Sequence, residues 1–371
     1  CFTSKATSKL GKVDNGSSIF DSRPDEKERK ITISTHLGYC EWNDTKINFL
    51  DTPGFLDLLG EAKSALRVVE TAVILVDGVS GVQVGTELVT SYLEGTETSR
   101  VIFVNGMDKE NADFQKVLDQ LKQNFGSGVA PLVIPISAGP SFKGVIDLVA
   151  KEAYTYTPDG NGIGNKIEIP ADMSAQVDSL RQSLMESVAE TDEELMNAYF
   201  EKGELSDQEI RNGLAKGVQE GNIYPLLSGS ATLNIGVDQL LTKIVNLCPA
   251  ASTRTSVTVI ENDEEKQISC DEKGPAAAFV FKSISEEHLG EINLIRVFSG
   301  NIQSGMELNN PDRGNIEKMG SMFYLRGKER TETSEMVCGD IGGVLKLKDT
   351  HTNNSLVDKS VHFRFAATEL P

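Results

Sequence analysis

Four short polar clusters in this chain have residue types suited to phosphate and base chemistry. They are Asp51-Thr52-Pro53-Gly54, Asp77-Gly78, Asn105-Gly106-Met107-Asp108 and Ser228-Gly229-Ser230-Ala231. A switch driven by phosphate hydrolysis needs an acidic residue that holds Mg2+, a backbone N–H that touches a γ-phosphate, and a hydroxyl on a mobile loop. Asp51 can supply the first, Gly54 the second and Thr32 the third. Guanine differs from adenine in offering two donors side by side, N1–H and the exocyclic amine, which one carboxylate can accept together. Asp108 has that chemistry, with Asn105 bracing its loop and the backbone of Ser230 and Ala231 touching O6. Taken singly, each cluster has a plainer reading. Asp-Thr-Pro-Gly is a good turn, Asn-x-x-Asp after a strand is an ordinary Asx turn or helix cap, and Asp77-Gly78 reads as a strand-end cap. Order along the chain is what joins them, and the expectation is that Thr32, Asp51 and Asp108 converge on one pocket.

Each cluster follows a β-branched apolar run: Lys46 to Leu50, Ala72 to Val76, Val101 to Val104 and Ile223 to Leu227, with Ala130 to Ile136 as a further run. Such runs read as buried strands of a mostly parallel sheet, and ligands in open α/β sheets bind outside the carboxyl ends of the strands. Leu58 to Glu70 and Asn111 to Phe125 have helix periodicity and suit crossovers. Ile31 to Trp42 alternates and precedes Asn43-Asp44, which predicts a hairpin on the sheet edge. The expected fold is α/β, a mostly parallel sheet with an inserted α+β subdomain and a following all-β barrel. The expected boundaries are 1–142 and 223–251 for the α/β domain, 143–222 for the insertion, 252–365 for the barrel and 366–371 for a linker. Within the insertion, Asp172 to Lys202 reads as a long amphipathic helix broken near Glu190-Thr191-Asp192. Ser206-Asp207-Gln208-Glu209 has capping-box spacing.

Composition removes other classes. Thirty-six Lys+Arg against 55 Asp+Glu give a net charge of −19, which opposes a nonspecific grip on nucleic-acid phosphates and speaks against sequence-specific DNA binding. No apolar run approaches the ~20 residues that cross a bilayer. The five cysteines lack metal-ligand spacing and read as reduced thiols of a cytoplasmic protein. His36, His288, His351 and His362 lie far apart and read as structural or surface residues. The mixed charges from Asp25 to Lys30 read as a solvated, mobile loop, and Glu261 to Glu265 as an exposed hairpin tip.

Over essentially its whole length the sequence resembles translational GTPases of the elongation factor G family. The matching segments are Lys27-Glu28-Arg29-Lys30-Ile31-Thr32-Ile33 at switch I, Asp51-Thr52-Pro53-Gly54 at switch II, Asn105-Gly106-Met107-Asp108 at the base loop and Gly229-Ser230-Ala231 at the last nucleotide motif. Phe142 to Val149 resembles the entry to that family's inserted subdomain, and Leu294 to Gly300 with Gly339-Asp340-Ile341 resembles its second domain. The resemblance implies GTP and GDP as ligands at Thr32, Asp51, Pro53, Gly54, Asn105, Asp108, Ser230 and Ala231, with Mg2+ held through Thr32 and Asp51. It also implies a ribosomal partner, no membrane, a monomer, and hydrolysis of GTP on the ribosome in protein synthesis.

Three departures qualify that expectation. Phe55 stands where the family has a histidine that organises the attacking water, and phenylalanine makes no such hydrogen bond. Gly106 stands where the family has a lysine whose stem packs over guanine. The glycine-rich phosphate loop ending in Gly-Lys-Ser/Thr, expected just before Cys1, and the ribosome-contacting domains expected after Pro371 are outside these 371 residues. Nucleotide binding by this stretch alone is therefore expected to be poor. Two alternatives stay open: a catalytically weak GTPase-like ribosome-binding module, and a relative of the proteins that protect ribosomes from tetracycline.

Overall fold

The first seventy residues build short, separately braced elements. Helix α1 (Pro24–Arg29) starts with proline, whose fixed φ suits the first helical turn, and stops at Lys30 in the left-handed region. Strands β1 (His36–Trp42) and β2 (Thr45–Asp51) pair as a two-stranded sheet. Their turn residues, Asn43 and Asp44, have φ of 46° and 58°, the conformation that short-looped hairpins need and that Asn and Asp tolerate. Helix α2 (Leu59–Leu66) follows one turn of 3-10 helix. The computed structural model describes residues 1–286 and 290–369. His288 and the last two residues of the expected linker lie outside them.

Two compact units emerge. The first comprises Cys1–Leu10, Glu41–Thr45 and Glu70–Pro249; the second comprises Gly11–Cys40, Lys46–Val69 and the chain from Ala250 onward. In the first, β3 (Thr71–Asp77), β4 (Ser99–Asn105), β5 (Val129–Pro131) and β10 (Tyr224–Ser228) form a parallel sheet in the order β3-β4-β10-β5. Helices α3 (Val84–Tyr92) and α4 (Phe114–Phe125) connect them. The Asp113 side chain caps α4, accepting the Lys116 N–H at 3.0 Å, and Gly126 ends it. Central β4 buries both faces. Edge strand β3 buries only Ala72, Ile74 and Val76, while Val73 and Leu75 are exposed, so that run is half-buried rather than buried.

Between β5 and β10 the chain builds an antiparallel sheet from β6 (Val133–Pro135), β7 (Gly144–Asp147), β8 (Glu152–Thr155) and β9 (Asn165–Ile167). Ala130 to Ile136 is thus not one strand. It changes sheets at Leu132, whose N–H still bonds Leu226 O while its carbonyl accepts from Leu148 N. Helices α5 (Ser174–Ala189) and α6 (Glu193–Lys202) break at Glu190-Thr191-Asp192 as the sequence predicts. Helix α7 (Asp207–Gln219) opens on the Ser206–Glu209 capping box. Helix α8 (Val237–Leu247) follows β10.

The second unit is antiparallel and β-rich. Strands β11 (Ser256–Glu261) and β12 (Glu264–Ser269) make the acidic hairpin. Strands β13 (Ala277–Glu286) and β14 (Gly290–Ser299) lie in the middle of an eight-stranded sheet. Along β13 the side chains alternate between two cores. Ala277, Phe279 and Phe281 enter one, and Ala278 and Val280 the other, as the two-residue period of a strand requires. Leu37 and Val68 join the Phe279 core, and Arg296 donates to Val68 O at 3.1 Å. Lys46 to Leu50 therefore differs from its expectation. It is a partly exposed strand of a hairpin, because its pairing goes to β1.

Candidate functional site

The expected site residues fall into two groups, one in each unit, and each group has its own chemistry. In the first unit, β3 and β4 run in register to Asp77 opposite Asn105. Past that point the chains are tied at the sheet edge. Gly78 N donates to Asn105 O at 2.8 Å, and Met107 N donates to Gly229 O at 3.1 Å. The Asn105 side-chain oxygen accepts the Ala231 N–H at 2.9 Å. Ser230 N donates to Ile235 O at 3.0 Å, and its hydroxyl accepts from Leu233 N. Both N–H groups set against O6 in the sequence reading thus donate within the protein here. Asp108 is half-buried, and its carboxylate makes no hydrogen bond or ion pair among the described residues. It stands beside a rigid, cross-tied loop with its acceptors open.

Two further residues of this edge carry weak sequence signals. Asp77 Oδ1 accepts from Val79 N and Ser80 N, each at 3.0 Å, as a strand-end cap does. Its Oδ2 meets Lys109 Nζ at 2.5 Å. Burial pushes the Asp77 carboxyl up, but the Lys109 hydrogen bond and the two N–H donors outweigh it and hold the group at about 2. Lys109 follows directly after Asp108, and only the structure shows where its side chain goes.

In the second unit, Thr32 donates its hydroxyl hydrogen to Asp21 Oδ1 at 2.8 Å, and Asp21 is buried. Burial, reinforced by the charges of Asp21 and Glu26, raises the Asp51 carboxyl to about 6 despite the opposing pull of His36. The two carboxylates and the Thr32 hydroxyl make a set of hard oxygen donors. Mg2+ suits it, because that ion takes one or two protein oxygens and keeps water and phosphate for the rest. Among the described residues, no group of three His, Cys, Asp or Glu could hold a metal ion alone. Pro53 is buried; Gly54 and Phe55 are exposed, Phe55 at 56%. A Cβ at Gly54 would meet nothing within 4 Å, and its φ lies outside the left-handed region. The fold itself therefore does not require glycine there.

Most of Asp25 to Lys30 is helix α1 rather than loop; Lys27 to Lys30 are exposed, while Glu26 is its fully buried anchor. Glu26 Oε1 accepts from Ile33 N at 3.1 Å and Ser34 N at 3.2 Å; Oε2 accepts from Arg23 N at 3.2 Å; both oxygens face His36 Nε2, at 2.7 and 2.9 Å. Next along the loop, Thr35 N donates to Glu61 Oε2 at 2.7 Å, and Glu61 pairs with Lys282. The loop bearing Thr32 is therefore held from both sides. Proline at the first helical position with glutamate two residues later was the available signal for α1; nothing local announced His36 as the partner.

The family model for the elongation factor Tu GTP-binding domain matches residues 1–250. The chain belongs to that family. The model for elongation factor G domain 2 matches residues 275–359, which makes this a translational GTPase of the elongation factor G type. A solved structure of a protein from Thermus thermophilus superposes with a TM-score of 0.85 at 27% identity, covering 100% of this chain and 53% of that one. The chain spans about half the length of that protein. The α/β fold with a parallel sheet and a following antiparallel β-rich part agrees with these matches. Among the described residues, no helix of this translational GTPase is long and apolar enough to cross a membrane.

Proposed function

We propose that the protein binds GTP and GDP with Mg2+ and hydrolyses GTP on the ribosome, as a cytoplasmic, monomeric factor in protein synthesis. In this reading Asp108 accepts from guanine N1–H and the exocyclic amine, while Asn105, Ser230 and Ala231 shape the loop around it. Thr32 and Asp51 hold the metal, Pro53 sets the turn, and the Gly54 N–H touches the γ-phosphate. When bound, Mg2+ neutralises charge on the phosphates. The observation that carries the reading is the cross-tied Asn105–Ala231 edge, which leaves Asp108 with open acceptors. The test is guanine-nucleotide binding and ribosome-stimulated phosphate release by the full-length protein. Submicromolar GDP binding with stimulated release supports it, and failure to bind any guanine nucleotide ends it.

The exposed phenyl ring of Phe55 favours a second reading, a ribosome-binding module that holds nucleotide and turns it over slowly. Full binding with release no faster on ribosomes than off them selects that reading. A relative of the tetracycline-protection proteins would instead restore translation in the presence of the drug.

A further inference from the structure

Gly106 is buried with φ at 78°, and the space where its side chain would begin is already filled. A Cβ built there would lie 3.0 Å from Cε, 3.1 Å from Cδ and 3.5 Å from Cγ of Lys109. Successive methylenes of Lys109 thus lie along the Gly106 backbone. Both ends of the residue are fixed. Its N–H donates to Gly106 O at 3.0 Å, and its ammonium is bound to Asp77, itself capped by Val79 N and Ser80 N. Yet the Lys109 side chain is 56% exposed. An exposed lysine normally samples many rotamers, and ordering it on a ligand is costly. Here that ordering precedes the ligand. The result is an apolar ledge over the Gly106 backbone, supplied by the residue directly after the open carboxylate of Asp108. A flat heteroaromatic ring needs this pair of features: an apolar surface for its face and an acceptor for its edge.

We propose that the Lys109 stem is the floor of the base subsite, packing on the face of the guanine ring, and that Asp77 is the positioning residue that keeps the stem extended. The proposal rests on the nucleotide-binding reading above. It explains how a base loop with glycine at 106 keeps an apolar contact for the base: the methylenes come from three residues later and lie over the glycine. The left-handed φ of 106 favours glycine, and a Cβ there would press against these methylenes.

The test is the equilibrium and dissociation kinetics of fluorescent GDP on the full-length protein and its variants. Lys109→Ala is expected to weaken GDP about tenfold, mainly through faster dissociation, the worth of roughly two methylenes kept from water. Lys109→Met keeps the stem and is expected to stay within about threefold of wild type on the same scale. Asp77→Ala is expected to weaken GDP in the wild-type background and to add nothing in the Lys109→Ala background; a purely structural Asp77 would cost affinity in both. Asp108→Asn is the separate check on the reading itself, since an amide there suits xanthine and should move preference from GDP to XDP. If that switch occurs while Lys109→Ala binds GDP as tightly as wild type, the proposal falls and the reading survives. If Lys109→Met is as weak as Lys109→Ala, the ammonium and not the stem is at work, and the proposal also falls. If the wild-type protein binds no guanine nucleotide, both fall together.

Discussion

Phe55 follows Gly54 in a segment whose exposed side chains, Phe55 and Leu56, have nothing of the fold to protect. A ring of carbon and hydrogen can exclude water but cannot orient it. The expected consequence is confined to turnover. Phe55→His should raise ribosome-stimulated GTP hydrolysis by about a hundredfold, the low end of what one positioned proton-transfer group contributes. GDP affinity should stay unchanged, as read by phosphate release and nucleotide titration. An equal change in both would mean that Phe55 shapes the binding surface instead. Gly54 and Gly229 obey different constraints. A Cβ at Gly229 would come within 2.3 Å of Ile235 O and 2.6 Å of Phe103 Cζ, whereas one at Gly54 meets open space. Gly229→Ala is therefore expected to cost about 1–3 kcal/mol in urea unfolding, as overpacking does. Gly54→Ala should leave stability unchanged and show its effect only with nucleoside triphosphate bound.

At the scale of elements, α1 exists to place one carboxylate. Glu26 gathers three backbone N–H groups and the His36 ring on its two oxygens, and so ties the helix to the loop that bears Thr32. A buried charge with this many partners is costly to break from one side. Glu26→Gln is expected to lose about 3 kcal/mol at pH 7. Burial pushes the Glu26 carboxyl up, but the His36 and backbone hydrogen bonds win and hold it below its ordinary value of 4.5. The folded state therefore binds fewer protons than the unfolded one around that pH. The stabilisation from Glu26 is complete above about pH 4.5 and is lost as pH falls below it. Urea midpoints of wild type and Glu26→Gln should stay apart above about pH 4.5 and converge as the pH falls below it; a gap that stays constant in that acidic range would show that the bonds are not charge-dependent. The elements also differ in how openly the sequence displayed them. The Ser206–Glu209 cap and the break before Glu193 depend on neighbours a few residues apart, and both were legible. The division of Ala130 to Ile136 between two sheets was not, because one apolar run satisfies either partner and the choice at Leu132 is made by Leu226 and Leu148.

For the whole molecule, an excess of 55 acidic over 36 basic residues means that self-repulsion outweighs the scattered surface ion pairs. Raising salt from about 10 to about 150 mM shortens the screening length from ~30 to ~8 Å and should raise the melting temperature. A fall would show that the ion pairs dominate. GDP with Mg2+ at a hundred times its dissociation constant should stabilise the full-length protein by about 2.7 kcal/mol, visible in the same melts. Strands β3, β4 and β10, helices α2 and α4, the Ser206–Glu209 cap in the insertion, the change to antiparallel strands after Pro249 and the residue types suited to guanosine phosphate were readable in the sequence. They rest on interactions between near neighbours and on the periods of helix and strand. Only the tertiary structure buried Glu26 against His36, turned the Thr32 hydroxyl to Asp21, left one face of β3 open and laid the Lys109 stem across Gly106. They depend on which groups come to share a low-dielectric or close-packed space, and spacing along a chain does not encode that.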